Sequence, residues 1–339
     1  MSAADYVVRP ATEADLPALI GFRALTGPGF TSLSIDDDRL ASRLALAARS
    51  FSTSSEPRTD QRYILFLEHV PTGQIAGLAQ VKAVVGRTQP FFNFRILQIA
   101  AASAAAARRY DMDVLILVNE CAGCTEVGSL FVKAEHRIHG LGRLLSRARY
   151  MLMAADPERF APRIVSELRG FFTPDGVSPF WEALGRHFFR MDFEAADHLS
   201  ATSDNQFILD LMPKYPIYVD LLAKAAQDVI GRCHPEGEGA RRLLEQEGFR
   251  FDRVVDIFDG GPLLSAPRDT IRTVRKAQLL RAREGAAGGD TPMLLANPEV
   301  AAFRCISAPA QLTAEEIILP RASMQRLGVS SGARILAAP

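Results

Sequence analysis

The segment from residue 126 to 152 constrains the fold most, because its pattern changes from a strand to a glycine turn and then to a helix. EVGSLFV is β-rich, and the apolar residues after Gly142 recur at helical spacing. Arg137, Gly140 and Gly142 form the pattern R-x-x-G-x-G in the turn between them. Glycines allow close backbone approach, and free N–H groups at a helix N-terminus bind anions such as a pyrophosphate. A purely structural turn is the alternative interpretation, and neither a dinucleotide fingerprint nor a Walker loop is present.

Charge and composition exclude several classes of protein. Lys and Arg total 39, as do Asp and Glu, so the chain lacks the positive excess of a nucleic-acid binder or a polybasic membrane protein. No apolar run reaches the roughly 18–20 residues that span a bilayer. The N-terminus does not have the layout of a secretory signal, and four cysteines are too few for a disulfide framework. We therefore expect a cytoplasmic protein with neither nucleic-acid nor membrane partners.

The remaining pattern predicts an α/β fold. Thr12 and Asp15 resemble a capping box before a helix at about 13–25, and PTGQ at 71–74 joins two strands in a hairpin. The Ala-rich segment at about 96–109 is predicted to be helical. Further strands are predicted at 113–118, 126–132 and 163–168, with a short helix at 179–189.

A second helix, Gly-Phe and strand pattern at 240–261 echoes the segment 180–193, which suggests two related α/β halves. REGAAGGD at 283–290 has the composition of a flexible linker. The residues after it contain the strand signals EEIILP and ARILAA around a helix at RASMQRLG. They predict a small β-rich C-terminal module, for which an accessory structural role is favoured over DNA binding because the charge is balanced.

Long runs of the chain resemble one family. The GNAT acyltransferase superfamily uses the R-x-x-G-x-G turn to hold the pyrophosphate of an acyl-CoA. Between residue 6 and about 280 the chain is similar to arginine N-succinyltransferases, especially the alpha subunits of arginine/ornithine succinyltransferase. The similar runs include GPGFTSL (27–33), GCTEVGSLFV (123–132), SELRG (166–170), SPFWEALGRHFFRMDF (178–193), AQDVIGRCHPEGEGARRLLEQEGFRF (226–251) and DIFDGGP (256–262).

The resemblance implies a fold and an activity. The fold would be a GNAT-like mixed sheet flanked by helices, with an acyl-CoA-binding half at 1–195, a second half with the His-Pro motif at 196–282, and the small module at 291–339. Family members move a succinyl group from succinyl-CoA directly to the α-amine of L-arginine or L-ornithine. Succinyl-CoA is then a co-substrate, and neither a tightly bound cofactor nor a metal is expected.

Site residues follow from the family motifs. The His of V-I-G-x-x-H-P, the family's proton donor, corresponds to His234, and the Leu of S-L-F, which binds succinyl-CoA, corresponds to Leu130. Arg137, Gly140 and Gly142 would hold the CoA pyrophosphate. A histidine suits this role because its pKa is near neutral, and a strand that opens near Leu130 can offer a backbone N–H to the thioester oxygen. Without the family, His-Pro is more often a surface turn.

Other choices stay open at the sequence level. Glu126, Glu167 and Asp256 are candidates for the general base, and the acids of DIFDGGP either face a guanidinium or are solvated. Cys121 and Cys124 form C-x-x-C, for which a reduced structural pair is favoured over zinc or redox chemistry.

The chain also departs from the family. Phe92 and Phe94 stand where relatives generally have Tyr, and Tyr215 stands where they have His. Loss of polar partners can change acceptor preference by orders of magnitude. The alternatives are therefore the same chemistry on another amine, or a non-catalytic partner subunit. A homodimer or a hetero-oligomer with a paralogue is expected on family grounds.

Overall fold

The computed structural model describes residues 3–25, 35–52, 61–137, 140–286 and 292–339. The strands are β1 Tyr6–Pro10, β2 Arg62–His69, β3 Gln74–Lys82, β4 Asn93–Ser103, β5 Arg108–Val118, β6 Thr125–Val132, β7 Arg163–Glu167, β8 Ile217–Tyr218, β9 Arg250–Asp256, β10 Pro262–Pro267, β11 Gln278–Glu284, β12 Pro292–Ala296, β13 Cys305–Pro309, β14 Gln311–Leu312, β15 Glu316–Leu319 and β16 Arg334–Ala338. The helices are α1 Leu16–Leu25, α2 Asp37–Ser52, α3 Leu141–Ala155, α4 Pro179–Ala183, α5 Gly185–Phe189, α6 Phe193–Thr202, α7 Gln206–Leu211, α8 Lys224–Gln227, α9 Glu238–Glu247, α10 Arg272–Lys276 and α11 Arg321–Leu327.

The described strands form one mixed sheet. Their order is β14-β15-β11-β16-β12-β13-β1-β2-β3-β6-β7-β10-β9-β4-β5-β8. β6 and β7 are parallel neighbours, as are β11 and β15, and the other neighbouring pairs are antiparallel. The predicted fold class, a mixed α/β sheet flanked by helices with a β-rich C-terminal region, is confirmed.

Several local predictions agree with the structure. Thr12 N donates to Asp15 Oδ2 at 2.8 Å in the capping box before α1, and the PTGQ turn joins β2 to β3. The strand and helix signals of the C-terminal region correspond to β15, α11 and β16. Of the predicted linker, residues 283–284 belong to β11, whereas residues 287–290 lie outside the described residues.

The Ala-rich segment is a strand hairpin, so the prediction of a helix at 96–109 is wrong. β4 and β5 pair over eleven positions, from Asn93↔Val118 to Ser103↔Arg108. β4 also pairs with β9 at Asn93, Phe94 and Arg95. Alanine prefers a helix only by fractions of a kcal/mol per residue, and pairing with two neighbouring strands outweighs that preference.

The similarity predicted between residues 180–193 and 240–261 is also only partly present in the structure. Helix α9, Gly248 at its C-terminus with φ +102°, and β9 form the helix, glycine and strand unit of residues 238–256. In the earlier segment, Phe193 begins helix α6 rather than a strand. The two segments therefore differ after their first helices, and the division of the chain at 195 and 282 stays a prediction.

Two hydrophobic cores lie near the functional region. Helix α3 packs its apolar face, which includes Leu144, Leu145 and Ala148, in the largest core. Trp181, which is fully buried, is part of a second core with residues of β4, β5, β9 and α4–α7. Leu168, which follows the end of β7, belongs to the first core, and Val255 of β9 belongs to the second.

Candidate active site

Strands β6 and β7 diverge in the middle of the sheet. Their register pairs are Thr125↔Ile164 and Glu126↔Val165, and Ser166 Oγ donates to Val127 O at 2.8 Å. β6 continues to Val132 against β3, whereas β7 ends at Glu167 against β10. A parallel pair that stays together over so few residues opens a gap between the two strand ends.

Leu130 lies at a bulge in β6, beside this gap. The β3–β6 register shifts between Leu78↔Phe131 and Gln80↔Gly128, and Ser129 has φ +52°. A bulge turns main-chain and side-chain groups away from the regular ladder. Leu130 itself is partly buried against the core that contains α3. The structure thus places the predicted succinyl-CoA residue where the strand is irregular.

The glycine turn leads from β6 into the fifteen-residue helix α3. Gly140 precedes the helix with φ +91°, a conformation that favours glycine, and Gly142 lies in the first turn. A Cβ at either position would meet no atom of the described residues within 4 Å. The first N–H groups of a helix have no intrahelical partner, so this end presents donors to an open surface.

Arg137 connects the turn to the end of β6. Its Nε donates to Val132 O at 2.9 Å, and its guanidinium carbon lies 5.7 Å from the centroid of the Phe131 ring. The residue is exposed. Leu130, Arg137, Gly140 and Gly142 therefore follow one another along one strand, turn and helix, as predicted, while residues 138–139 and the run at 27–33 lie outside the described residues.

His234 lies on a separate segment that is tied to the end of β7. Its backbone N donates to Arg169 O at 2.8 Å, and Cys233 forms an antiparallel bridge with Gly170. Its Nδ1 accepts from Glu236 N at 3.2 Å at the start of a short 3-10 helix. The neutral ring therefore carries its proton on Nε2, the nitrogen that remains available.

The environment of His234 keeps its ring mostly neutral near pH 7. The side chain is 18% exposed, and burial lowers its pKa below the usual value. The positive charge of Arg169 acts in the same direction, and Glu236 opposes both. An imidazolium formed here is a stronger acid than one in water.

A cleft of about 650 Å³ contains the His234 side chain. One wall follows β7, and the other is the start of α6. The lining residues are Arg169, Phe171, Phe172, Thr173, Pro174, Asp175, Gly176, Phe193, Glu194, His234, Pro235 and Glu236. Aromatic and charged side chains together provide both an apolar surface and ionic partners for a small polar ligand.

The three candidate bases have different surroundings. Glu126 Oε2 forms an ion pair with Lys82 Nζ at 2.6 Å. Asp256 Oδ1 accepts hydrogen bonds from the backbone N–H groups of Phe258 and Asp259, at 2.7 and 2.8 Å. Asp256 thus fixes a turn, and burial raises its pKa.

Glu167 accepts a hydrogen bond from Asn93 Nδ2 at 2.7 Å and has no ion pair with any described residue. Burial, then the charges of Asp256 and Glu126, holds its pKa well above its usual range. Among the three candidates, Glu167 is the carboxyl that is held neither by an ion pair nor by a backbone N–H group of the described residues.

Sequence reasoning missed two charged groups in this region. They are Arg169, which lines the cleft, and Asp197 on α6, whose pKa is raised to about 7, chiefly by burial. Asp259, one of the acids of DIFDGGP left open above, is buried and accepts from Gly170 N and Gly261 N at 2.7 and 2.8 Å. The run SELRG contains Arg169 but does not show that it lines a cleft. For Asp197 no sequence signal exists.

Cys121 and Cys124 are free thiols in a small core that also contains Val85, Val165 and Leu263. No described helix is long and apolar enough to cross a membrane. The described chain is thus a mixed α/β protein with a glycine turn before helix α3 and a separate cleft lined by several titratable groups.

The comparisons with known proteins identify the family. The family model described as "Arginine N-succinyltransferase beta subunit" matches residues 6–273, and that of its C-terminal domain matches residues 275–339. The arginine N-succinyltransferase of Escherichia coli O139:H28 is 39% identical over 331 residues, which cover 97% of this chain and 96% of that protein. The arginine N-succinyltransferase subunit beta of Pseudomonas aeruginosa is 39% identical over 334 residues, 98% of each chain. This chain belongs to the arginine N-succinyltransferase family, as the resemblance of its motifs predicts.

A solved structure agrees with this conclusion. Arginine/ornithine succinyltransferase subunit AI from Pseudomonas aeruginosa is 31% identical, with a TM-score of 0.89 over 98% of both chains. The fold described above is therefore the fold of this family. The matching family models carry the beta-subunit description, although the sequence runs suggest the alpha subunit.

Proposed function

We propose that this protein transfers the succinyl group of succinyl-CoA to the α-amine of L-arginine. The observation that carries the proposal is the full-length similarity to arginine N-succinyltransferases, with the glycine turn and the His-Pro segment in place. The AI subunit of Pseudomonas aeruginosa is described as belonging to an arginine/ornithine succinyltransferase, so L-ornithine is the second acceptor to test.

The glycine turn would bind the CoA part of the donor. Its pyrophosphate would accept hydrogen bonds from the first N–H groups of α3. The positive end of the helix dipole and Arg137 would balance the negative charge of the pyrophosphate. Open space beside Gly140 and Gly142 lets the phosphates reach the backbone. The thioester would then lie in the gap between β6 and β7, with main-chain groups near Leu130 at its carbonyl oxygen.

The reaction joins the amine nitrogen to the thioester carbon and breaks the bond from carbon to sulfur. The nitrogen loses a proton and the departing thiolate gains one. His234 would act as an imidazolium, which forms when a proton joins Nδ1 in place of the hydrogen bond from Glu236 N and which the Glu236 carboxylate, 3.8 Å from Nδ1, would stabilise. This ring would give its Nε2 proton to the sulfur and return to the neutral form. Glu167 would take the proton from the amine, because its raised pKa makes it a stronger base than an ordinary carboxylate.

Release of CoA thiol with succinyl-CoA and L-arginine tests the proposal, with ornithine, lysine and uncharged amino acids as alternative acceptors. We expect turnover with arginine, and a loss of about 100-fold or more in kcat for His234→Ala. His198→Ala changes an exposed histidine of α6 and should act like the wild type. Glu167→Gln should lower kcat and remove the fall in rate at acidic pH. Absence of turnover with arginine and ornithine would refute the proposed activity.

The assembly and the compartment also belong to this proposal. We expect a homodimer or a hetero-oligomer with a paralogous subunit, on the grounds of family resemblance. We expect the cytoplasm as its compartment, because no apolar run is long enough to span a bilayer and the cysteines are too few for a disulfide framework. Size-exclusion chromatography with light scattering measures the state of the purified chain. Turnover that appears only after a second, related chain is added would identify this chain as a partner subunit.

A further inference from the structure

Arg169 is fixed beside His234 but is not used by the chemistry described above. It lies two residues after the end of β7, and its carbonyl oxygen accepts from His234 N at 2.8 Å. Both side chains line the same cleft. The hydrogen bond therefore holds the backbones of the two residues together at one cleft.

The guanidinium lacks a direct anionic partner in the described part of the chain. Its carbon lies 4.6 Å from the centroid of the Phe172 ring, and its Nε is buried with no hydrogen-bond partner. No carboxylate of a described residue lies within 4.0 Å of its nitrogens. A buried donor that stays unpaired is costly, so such a group commonly awaits a ligand.

The nearest acids do not neutralise Arg169 directly. Asp259 uses its two oxygens to accept backbone N–H groups. The Glu236 side chain is 85% exposed and therefore well solvated. Asp197 acts on Arg169 only at longer range. The cation is thus positioned by Phe172 and by its backbone, and its hydrogen-bonding edge remains for an anion in the cleft.

We propose that Arg169 is the residue of this cleft that binds a substrate carboxylate. The inference rests on the proposed function, since both substrates of that reaction carry this group. In the succinyl donor a free carboxylate lies three bonds from the reacting carbonyl carbon. In arginine the α-carboxylate lies two bonds from the reacting nitrogen. Either distance places the carboxylate near a guanidinium that neighbours the proton donor.

The planar guanidinium suits this role, because it can donate two parallel hydrogen bonds to one carboxylate. Phe172 fixes the plane of the group and so reduces the entropy lost on binding. A site built to bind a charged group rejects a neutral analogue strongly, whereas an apolar pocket does not. Arg169 would therefore make the cleft specific for ligands that carry a carboxylate.

Equilibrium binding by calorimetry tests this role with two pairs of ligands. Succinyl-CoA is compared with butyryl-CoA, which lacks the free carboxylate, and L-arginine with agmatine, which lacks the α-carboxylate. In Arg169→Gln the affinity for one carboxylate-bearing ligand should fall about 10- to 100-fold, while that for its counterpart without the carboxylate hardly changes. The pair that responds identifies the source of the carboxylate.

Two further variants keep the test decisive. Arg169→Lys keeps the charge without the planar fork, so it should retain part of the preference even if Arg169→Gln folds poorly. Arg232→Gln is the matched control, because Arg232 is exposed and lies 4.3 Å over the Phe171 ring outside the cleft lining. It should leave both preferences unchanged.

Binding is measured without turnover, so the two proposals can fail separately. A lost carboxylate preference in Arg169→Gln supports the inference even if no CoA is released from any acceptor. If well-folded Arg169 variants keep the wild-type preference in both pairs, the inference is wrong. It is also wrong if the wild type binds butyryl-CoA and agmatine as tightly as succinyl-CoA and L-arginine.

Discussion

Two pairs of glycines show how differently the turn and the cleft are built. A Cβ on Gly140 or Gly142 would meet no atom within 4 Å in the part of the chain that the structure describes. A Cβ on Gly170 would lie 2.7 Å from Asp259 Cγ, and one on Gly261 would lie 2.6 Å from Gly170 N and 2.9 Å from Asp259 Oδ1. The same residue type leaves space for a ligand in one region and for the protein itself in the other.

The glycine turn and the region behind the cleft are therefore built from different kinds of groups. In the proposed donor site, the turn would use the main-chain N–H groups at the start of α3, with Arg137 as its side-chain cation. Behind the cleft, Glu167, Asp256 and Asp259 lie close together, and burial raises the pKa of each. We therefore expect substitutions near the cleft to change stability, and substitutions in the turn to change binding.

The largest effect is expected for Gly261→Ala. The added methyl group would collide with the backbone of Leu168 and Gly170 and with the Asp259 carboxylate. Since backbone atoms cannot move aside cheaply, we expect a loss of about 3 kcal/mol in the free energy of unfolding. Denaturant unfolding measures it. Gly239→Ala on α9, where a Cβ meets nothing within 4 Å, is the control and should cost nothing. Equal denaturation midpoints for the two variants would show that Gly261 is not closely packed against its neighbours.

Asp197→Asn is expected to have the next largest effect, and the effect should depend on pH. Burial raises the pKa of Asp197 from 3.8 to about 7 in the folded state. Its stabilising contribution is thus complete below pH 4 and is lost as the pH rises towards 7. The variant should match the wild type at pH 4 and be more stable at pH 8 by about 1–2 kcal/mol, since partial exposure reduces the full linkage value. Parallel thermal melts at the two pH values measure the difference. A constant offset between the two proteins would contradict it.

The same contrast explains which features the sequence could predict. The β6, turn and α3 segment has local signals: alternating residues, two glycines and helical spacing within 27 positions. The C-terminal strands and α11 have similar signals. Such features depend on contacts between neighbours in the chain, so periodicity and turn chemistry suffice.

The cleft depends on contacts between distant segments, which the sequence pattern does not contain. His234 meets Arg169, and Asp259 meets Gly170, across separations of 65 and 89 residues. Family motifs suggested His234, but nothing indicated its partner. The prediction of a helix in the Ala-rich segment is wrong for a related reason, because pairing with β5 and β9 rather than local propensity decides the structure of β4.

Gly140→Ala should have a smaller effect on stability than Gly261→Ala or Asp197→Asn. With φ +91°, an alanine here would be strained although no atom is close. We expect a loss of about 1 kcal/mol. Gly140→Asn should lose less, because asparagine tolerates positive φ better. Denaturant unfolding of the two variants compares them directly. If alanine costs no more than asparagine, the turn has relaxed to another conformation.

Gly142→Ala should change stability least and yet weaken ligand binding. The position is helical, so alanine should leave the free energy of unfolding unchanged or raise it by about half a kcal/mol. Its methyl group would lie in the space that the phosphates of CoA need, so we expect the Kd for CoA to rise about 10-fold. Calorimetry with CoA measures the affinity, and a thermal melt of the same sample measures the stability. A stable variant that binds CoA as tightly as the wild type would show that the turn is only structural. Weaker binding together with equal stability would instead assign the open space beside Gly142 to the ligand, because no atom of the described protein is displaced there.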